Sequence, residues 1–350
     1  MITRLSSLTW AAALLTLPFS SALSPSEIPP DTPIASLVTS AKAHLASGNA
    51  NDALTYFDVA ITRDPKNYLT IFQRGATYLS LGKNAQASQD FDKVLTIRPN
   101  FEGALLQRAK IKSRAADWAA ARKDYEAAGK HDSAEIAQLE EAQGAATLAA
   151  DAEKTGDWEG CVSQAGVAVL VASTSLSLRQ LRARCRFERG EVLEGVSDLT
   201  HVLQLSPQSI EPHLKISSML FYSIADLDKG IEQMRKCLRS DPDSKACSRL
   251  FRREKQVDKM MKQIVGLKDK RQFNSAVKLL VGGGEDQGLI KDVKEDISEA
   301  KASGNIHKNS PDEFYGSLVE MACECYYEVS DPFQPVVLRL RSDLLTAIPR

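Results

Sequence analysis

The stretch SLVTSAKAHLASGNANDALTYFDVAITRDP ends at Pro65, and TIFQRGATYLSLGKNAQASQDFDKVLTIRP ends at Pro99, a step of 34 residues. Laid one on the other, they pair Ala41 with Gly75, Ala53 with Ala87, Phe57 with Phe91 and Pro65 with Pro99. A self-similar step of this length restricts the fold more than any feature of composition. Each unit is a pair of antiparallel helices that cannot bury its own apolar face, so stacked neighbours must supply the core. The small residues let the two helices approach closely, and the aromatic fills the space between hairpins. The closing proline stops the second helix, because it has no N–H to donate and its ring clashes with the preceding turn.

The register continues down the chain. A third copy carries Ala109, Ala121, Tyr125 and Ala128, and a fourth carries Ala149, Cys161 and Ala168. A fifth has Ala183, Leu199 and Pro207, and a sixth, displaced by one residue, has Ser218, Phe221 and Pro242. This pattern of small, small, aromatic and proline positions resembles the tetratricopeptide repeat. The resemblance implies an all-α, right-handed superhelical solenoid of helix hairpins. Repeats one to three then span 34–141 and repeats four to six 142–244. An extended charged helix, a seventh repeat and an insert fill 245–314, the eighth repeat begins over 315–329, and a non-repeat tail occupies 330–350. The proline-rich leader, 23–33, is expected to be extended and mobile. GGGEDQ at 282–287 reads as a flexible loop, and the segment from Leu289 to about Ala302 as a charged amphipathic helix.

The first residues, MITRLSSLTWAAALLTLPFSSALS, combine one early cation, an apolar run and small residues. That is the layout of a secretory signal peptide over 1–22, with Ser20 and Ala22 suited to the cleavage site. A mature start near Leu23 and a lumenal or secreted, non-membrane product are the expectation. The 44 basic residues against 45 acidic ones leave a net charge of −1, which gives no field for nucleic acid.

An oxidising compartment permits disulfides. Cys237 falls near the end of the second helix of repeat six, and Cys247 early in the next helix, so antiparallel packing puts them side by side. Cys161 and Cys185 likewise fall at one end of two neighbouring helices, although a small residue is all that the position of Cys161 requires. Cys323 and Cys325, two apart on a helix, point to nearly opposite sides and do not suit a bond to each other. The five histidines are scattered singly, without metal-ligand spacing. No phosphate loop, G-x-S-x-G elbow or H-E-x-x-H occurs. The expectation is therefore a protein with no catalytic residues, metal or cofactor.

In such an array the first helix of each repeat lines the concave face through its positions 2, 5, 9 and 12. In the first three repeats these include Val38, Leu45, Leu69, Phe72, Leu79 and Leu106, with Lys42 and Lys110 between them. An apolar surface of this kind suits hydrophobic segments of a non-native chain. Some of these side chains also serve packing between helices. A clamp for a peptide carboxylate is disfavoured, because position 9 reads Lys42, Ala76, Lys110 and lacks asparagine.

The stretch LRQLRARCRFERGEVLEGVSDLTHVLQLSP, followed by KISSMLFYSIADLDKGIEQMRKCLRSDPDSKACSRLFRREKQVDKMMK, sharpens the resemblance. It is similar to the endoplasmic reticulum co-chaperones of DnaJ subfamily C, fungal type, which join tetratricopeptide repeats to a C-terminal J domain. The similarity covers about 34–329 and includes the Cys237 and Cys247 pair and the Arg-Ala-x-Cys at Cys185. It implies that the N-terminal repeats hold unfolded protein clients, and that a J domain, where present, engages the lumenal Hsp70 in protein folding and the unfolded protein response. This sequence departs from the pattern at its end. No His-Pro-Asp occurs, and no cysteine follows Cys325, although the family bonds one cysteine of this C-x-C to a later one. MACECYYEV is a first helix, but SDPFQPVVLRLRSDLLTAIPR, with Pro332 and Pro335, does not continue as a second. Val329-Ser330 can be encoded by a splice-donor sequence, so a retained intron is the expectation for this tail, a shortened isoform its alternative. The alternative function is a scaffold or adaptor of the secretory pathway that acts without a J domain.

Overall fold

The computed structural model describes residues 23–283 and 287–329, which form sixteen α-helices. The first helices of the repeats are α1 (Ile34–Ala46), α3 (Tyr68–Ser80), α5 (Glu102–Arg114), α7 (Ala134–Thr155), α9 (Leu176–Glu188), α11 (Ile210–Ser218), α13 (Lys245–Asp269) and α16 (Glu313–Val329). The second helices are α2 (Ala50–Arg63), α4 (Asn84–Ile97), α6 (Trp118–Ala127), α8 (Trp158–Val171), α10 (Val192–Leu205), α12 (Leu227–Ser240) and α14 (Phe273–Val281), while α15 (Leu289–Ala302) is the inserted amphipathic helix. The signal-peptide and tail expectations, for 1–22 and 330–350, lie outside the described residues, as does 284–286 of the Gly-rich loop.

The chain divides into two compact units, one comprising residues up to 111 with 123–130 and the other 112–122 with 131 onward. In the first, the repeat positions read from sequence form the core: Ala41, Ala53, Phe57, Ala87 and Phe91 are fully buried. In the second, Ala149, Cys161, Ala165 and Cys185 pack with Leu178 and Leu181. A larger cluster joins Phe221, Tyr222, Val257, Ile264, Leu289 and Phe314. The small positions are steric requirements. A Cβ added to Gly195 would lie 2.3 Å from a ring carbon of Phe187, so glycine there sets how closely α9 and α10 approach.

Local chemistry sets the helix ends. The side chains of Asn67, Asp157, Ser175, Asp226 and Ser244 each accept from a backbone N–H in the first turn of the following helix, satisfying donors that a helix start leaves unpaired. Pro65, Pro99, Pro207 and Pro242 follow the ends of α2, α4, α10 and α12.

Two sequence expectations are corrected, and a third gains its physical cause. The leader is not extended throughout but turns and packs on α1 and α2. Pro25–Glu27 form a short 3-10 turn inside a capping box from Ser24 to Glu27. Ile28 is buried against Leu37 and Ala60, and Arg63 donates to the carbonyls of Pro29 and Thr32. Its prolines fix a path that the cation of α2 then ties down. Next, the boundary at 141/142 falls inside α7, because this helix begins about two turns before the repeat register, where Ser133 caps it. Finally, the displacement of repeat six is a π-helical turn, Met219–Ser223, that continues α11. Pro207 and Pro242 are 35 apart rather than 34, and a wider turn absorbs one extra residue without ending the helix.

After α15 the chain returns through a series of turns, with Asn305 and Ile306 both donating to the Ala300 carbonyl. Ile306 is buried, Ser310 Oγ lies 3.4 Å from Met219 Sδ, and His307 stacks on Phe187 with ring centroids 6.4 Å apart.

Candidate binding surface

The six apolar residues expected to bind clients all fall in the first unit, on α1, α3 and α5. Val38 is half-buried against Leu37, Ala41 and Phe57, and Leu45 against the same Ala41 and Phe57 pair. Phe72 meets Phe101 edge-on at 5.1 Å between centroids and Phe91 at 5.7 Å. Leu79 packs beside Ile71 and Phe91. These four divide their surface between packing and solvent. Leu69 is 47% exposed, and Leu106 is half-buried. Lys42, Ala76 and Lys110 are exposed on the same helices, so the surface is an apolar strip bordered by two cations.

A polar ladder beneath this strip went unread in the sequence. Arg74 on α3 gives two hydrogen bonds to Asp90 on α4, at 2.8 and 2.6 Å, and one to Asp58 on α2, at 2.8 Å. Arg108 repeats the arrangement, with 2.8 and 2.6 Å to Asp124 and 2.7 Å to Asp92. Each guanidinium thus ties its own second helix to that of the preceding repeat. Asp90 is almost completely buried, and hydrogen bonds from Asp90 foremost, then Asp58, raise the pKa of Arg74 against the opposing effect of burial. The signal was available, since Asp58 and Asp92, Arg74 and Arg108, and Asp90 and Asp124 each lie 34 apart. A related knot in the second unit holds buried Asp198 between Arg182 and Arg186, each at 2.6 Å.

Both expected disulfides form. Cys161 on α8 bonds Cys185 on α9, and Cys237 on α12 bonds Cys247 on α13, with Cα separations of 6.2 and 6.3 Å. Cys325 is a buried thiol on α16 whose pKa burial raises. Among the histidines, His213 is a packing residue. Its Nδ1 lies 2.7 Å from Gln233 Nε2 and its Nε2 3.2 Å from the Pro207 carbonyl, and burial lowers its pKa. The described residues hold no cluster of metal-ligating side chains and no helix long and apolar enough to cross a membrane.

Comparison with known proteins connects this architecture to a lineage. A family model for the tetratricopeptide repeat matches residues 70–101. The tetratricopeptide repeat and J domain-containing co-chaperone DNJ1 of Fusarium oxysporum f. sp. lycopersici is 49% identical over 320 residues, covering 91% of this chain and 61% of the relative. The chain is a tetratricopeptide-repeat homologue of these co-chaperones. DnaJ homolog subfamily C member 3 of Rattus norvegicus is 27% identical over 323 residues, covering 88% of this chain and 59% of the relative. The chain therefore spans about three fifths of the length of these two relatives. Among solved structures, the crystal structure of the P58(IPK) TPR domain matches with a TM-score of 0.67 and 23% identity, over 89% of this chain and 83% of that one. This last likeness bears on the fold, and it agrees with the all-α array of hairpins.

Proposed function

We propose that this chain is the polypeptide-holding part of a co-chaperone of the endoplasmic reticulum lumen. It binds apolar segments of unfolded or misfolded proteins along α1, α3 and α5. The observation that carries the reading is the strip itself: Leu69 stands exposed beside half-buried Phe72, Leu79 and Leu106 on a scaffold homologous to co-chaperones. Large apolar side chains held at a surface by rigid helices suit the non-directional capture of exposed hydrophobic chain. The apolar stretch after Arg4 and two disulfides support the lumenal location. Delivery to the lumenal Hsp70 is the role of a J domain such as the relatives' names carry.

The test is suppression of aggregation of a chemically denatured client by the purified chain. Suppression at stoichiometric ratio is expected, and Leu69→Asp with Leu106→Asp should weaken it severalfold while the far-UV circular dichroism stays unchanged. Capture of native partners with no effect on denatured client would instead favour an adaptor.

A further inference from the structure

Each arginine of the polar ladder in the first unit stands midway between two carboxylates. Arg74 and Arg108 bond the acid 16 residues before them, Asp58 or Asp92, through Nη1, and the acid 16 residues after them, Asp90 or Asp124, through Nε and Nη2. Arg182 of α9 holds the corresponding place in the second unit. Its Nε and Nη2 reach Asp198, 16 residues on, at 2.9 and 2.6 Å, but 16 residues back α8 carries Gly166. Nη1 of Arg182 is left without an acceptor. Outside the backbone of its own helix, a Cβ placed on Gly166 would meet only this Nη1, at 3.8 Å. Open space thus stands where the earlier repeats put a carboxylate.

The charges around this gap are unbalanced too. Arg186 Nη1 bonds the other oxygen of Asp198 at 2.6 Å, and Arg179 Nη1 stays 3.9 Å from Oδ1. Arg179 gives its Nε and Nη2 to a neutral acceptor, the Ser173 carbonyl. Arg186 Nε is buried with no acceptor, and Glu191, 4.0 Å from it, is held by Arg189 at 3.1 Å. Glu194 offers Arg186 its backbone carbonyl, not its carboxylate. Three guanidiniums therefore lean on one buried carboxylate, whereas Arg74 alone engages two. Burial and then the charge of Arg182 lower the pKa of Arg179, as befits a cation short of counter-charge.

We propose that the gap over Gly166 is an oxyanion-binding site whose ligand is a phosphate group. The oxyanion accepts from Arg182 Nη1 in place of the absent carboxylate, and from Arg179 Nη1, which no hydrogen bond occupies. Planar guanidinium forks match the oxygens of such a group. Three cations against one anion leave two positive charges, which favours a phosphate dianion over a singly charged carboxylate. The site lies wholly in the second unit, and nothing in it depends on the apolar strip of the first.

Isothermal titration calorimetry of the full chain with inorganic phosphate, at an ionic strength held constant with sodium chloride, tests this. Phosphate should bind at least about tenfold tighter than acetate, and Arg179→Gln should weaken it by about tenfold. Gly166→Asp restores the missing carboxylate within the chain and should abolish phosphate binding. Gly166→Ala adds a methyl group without charge and should keep it, and thermal melting checks that each variant is folded. A phosphoserine peptide titrated beside inorganic phosphate identifies the source of the group. Tighter peptide binding supports the site with a phosphorylated chain as ligand, and weaker binding supports it with free phosphate. No phosphate binding above the chloride background, equal affinity for acetate, or undiminished binding in Gly166→Asp overturns the proposal.

Discussion

Ser217 Oγ on α11 stands 2.7 Å from Oε1 of Glu254 on α13, and also 2.7 Å from the carbonyl oxygen of Gly230. A hydroxyl has one proton to give, and a carbonyl oxygen only accepts. When Ser217 donates to Gly230, the contact with Glu254 is a hydrogen bond only if the carboxyl carries the proton. Glu254 is fully buried, and desolvation pushes its pKa from 4.5 up to about 8, opposed weakly by Ser217. Hydrogen-bond geometry and desolvation both favour the neutral acid.

The pH dependence of stability follows from this pair. The folded state binds the Glu254 proton more tightly than the unfolded state does, so stability falls as pH rises from about 4.5 through about 8 and is flat beyond. The stabilisation lost over that window is on the order of a few kcal/mol. Glu254→Gln keeps the shape and stays neutral, so urea midpoints should show a shallower decline for the variant and greater stability at pH 9. Parallel pH profiles for the two proteins would show that Glu254 is ionised in the native state.

The Arg74 clamp gives a stability prediction of the opposite kind. Arg74→Ala leaves Asp90 charged, buried and unpaired, which should cost about 3 kcal/mol. Arg74→Met with Asp90→Leu removes both charges and should recover most of that loss, because a well-packed apolar pair avoids the desolvation cost. Denaturant unfolding of the two variants decides it. A loss under about 0.5 kcal/mol in Arg74→Ala would mean that solvent screens the clamp as it does a surface pair.

The repeats were legible because packing restricts side-chain size at fixed intervals. Ala41, Ala53, Ala87 and Ala183 had to be small, and Phe57 and Phe91 had to be large, whatever else changed. The disulfides were legible for the same reason, since antiparallel helices bring known repeat positions together. Polar features were harder to read. Arg74 and Asp58 look like solvated charges until the third helix arrives, although their period of 34 was present. Glu254 sits in a run of charges, FRREKQ, that gives no hint of burial. The packing of Ile306 and of His307 on Phe187 depends on a connection whose path no periodicity encodes. The leader was misread because proline content argues against helix, not against a fixed, packed path.

The two disulfides close short loops, with sequence separations of 24 and 10. The chain-entropy relation gives about 3 kcal/mol for each. Reduction should therefore lower the melting temperature by several degrees, with Cys237→Ala/Cys247→Ala and Cys161→Ala/Cys185→Ala each giving part of the loss. Peptide mapping after alkylation in denaturant should find these four cysteines protected until reductant is added. Modification of Cys161 or Cys237 without reductant would refute the bonded state.

The remaining prediction concerns Leu23, whose backbone nitrogen lies 3.0 Å from Asp52 Oδ1 and whose carbonyl accepts from Thr55 Oγ1. Cleavage after Ala22 would convert that amide nitrogen into an ammonium group and the hydrogen bond into an ion pair at the start of α2. Charge on both partners makes such a bond about twice as strong as a neutral one. Protein recovered from a secretory host should begin at Leu23 by N-terminal sequencing. Asp52→Asn should then cost that form about 1 kcal/mol, and should cost a form extended beyond Leu23 less, because the longer chain keeps only a neutral amide there. Equal costs in the two forms would remove the ion pair from the account, and a start at any other residue would remove its cause.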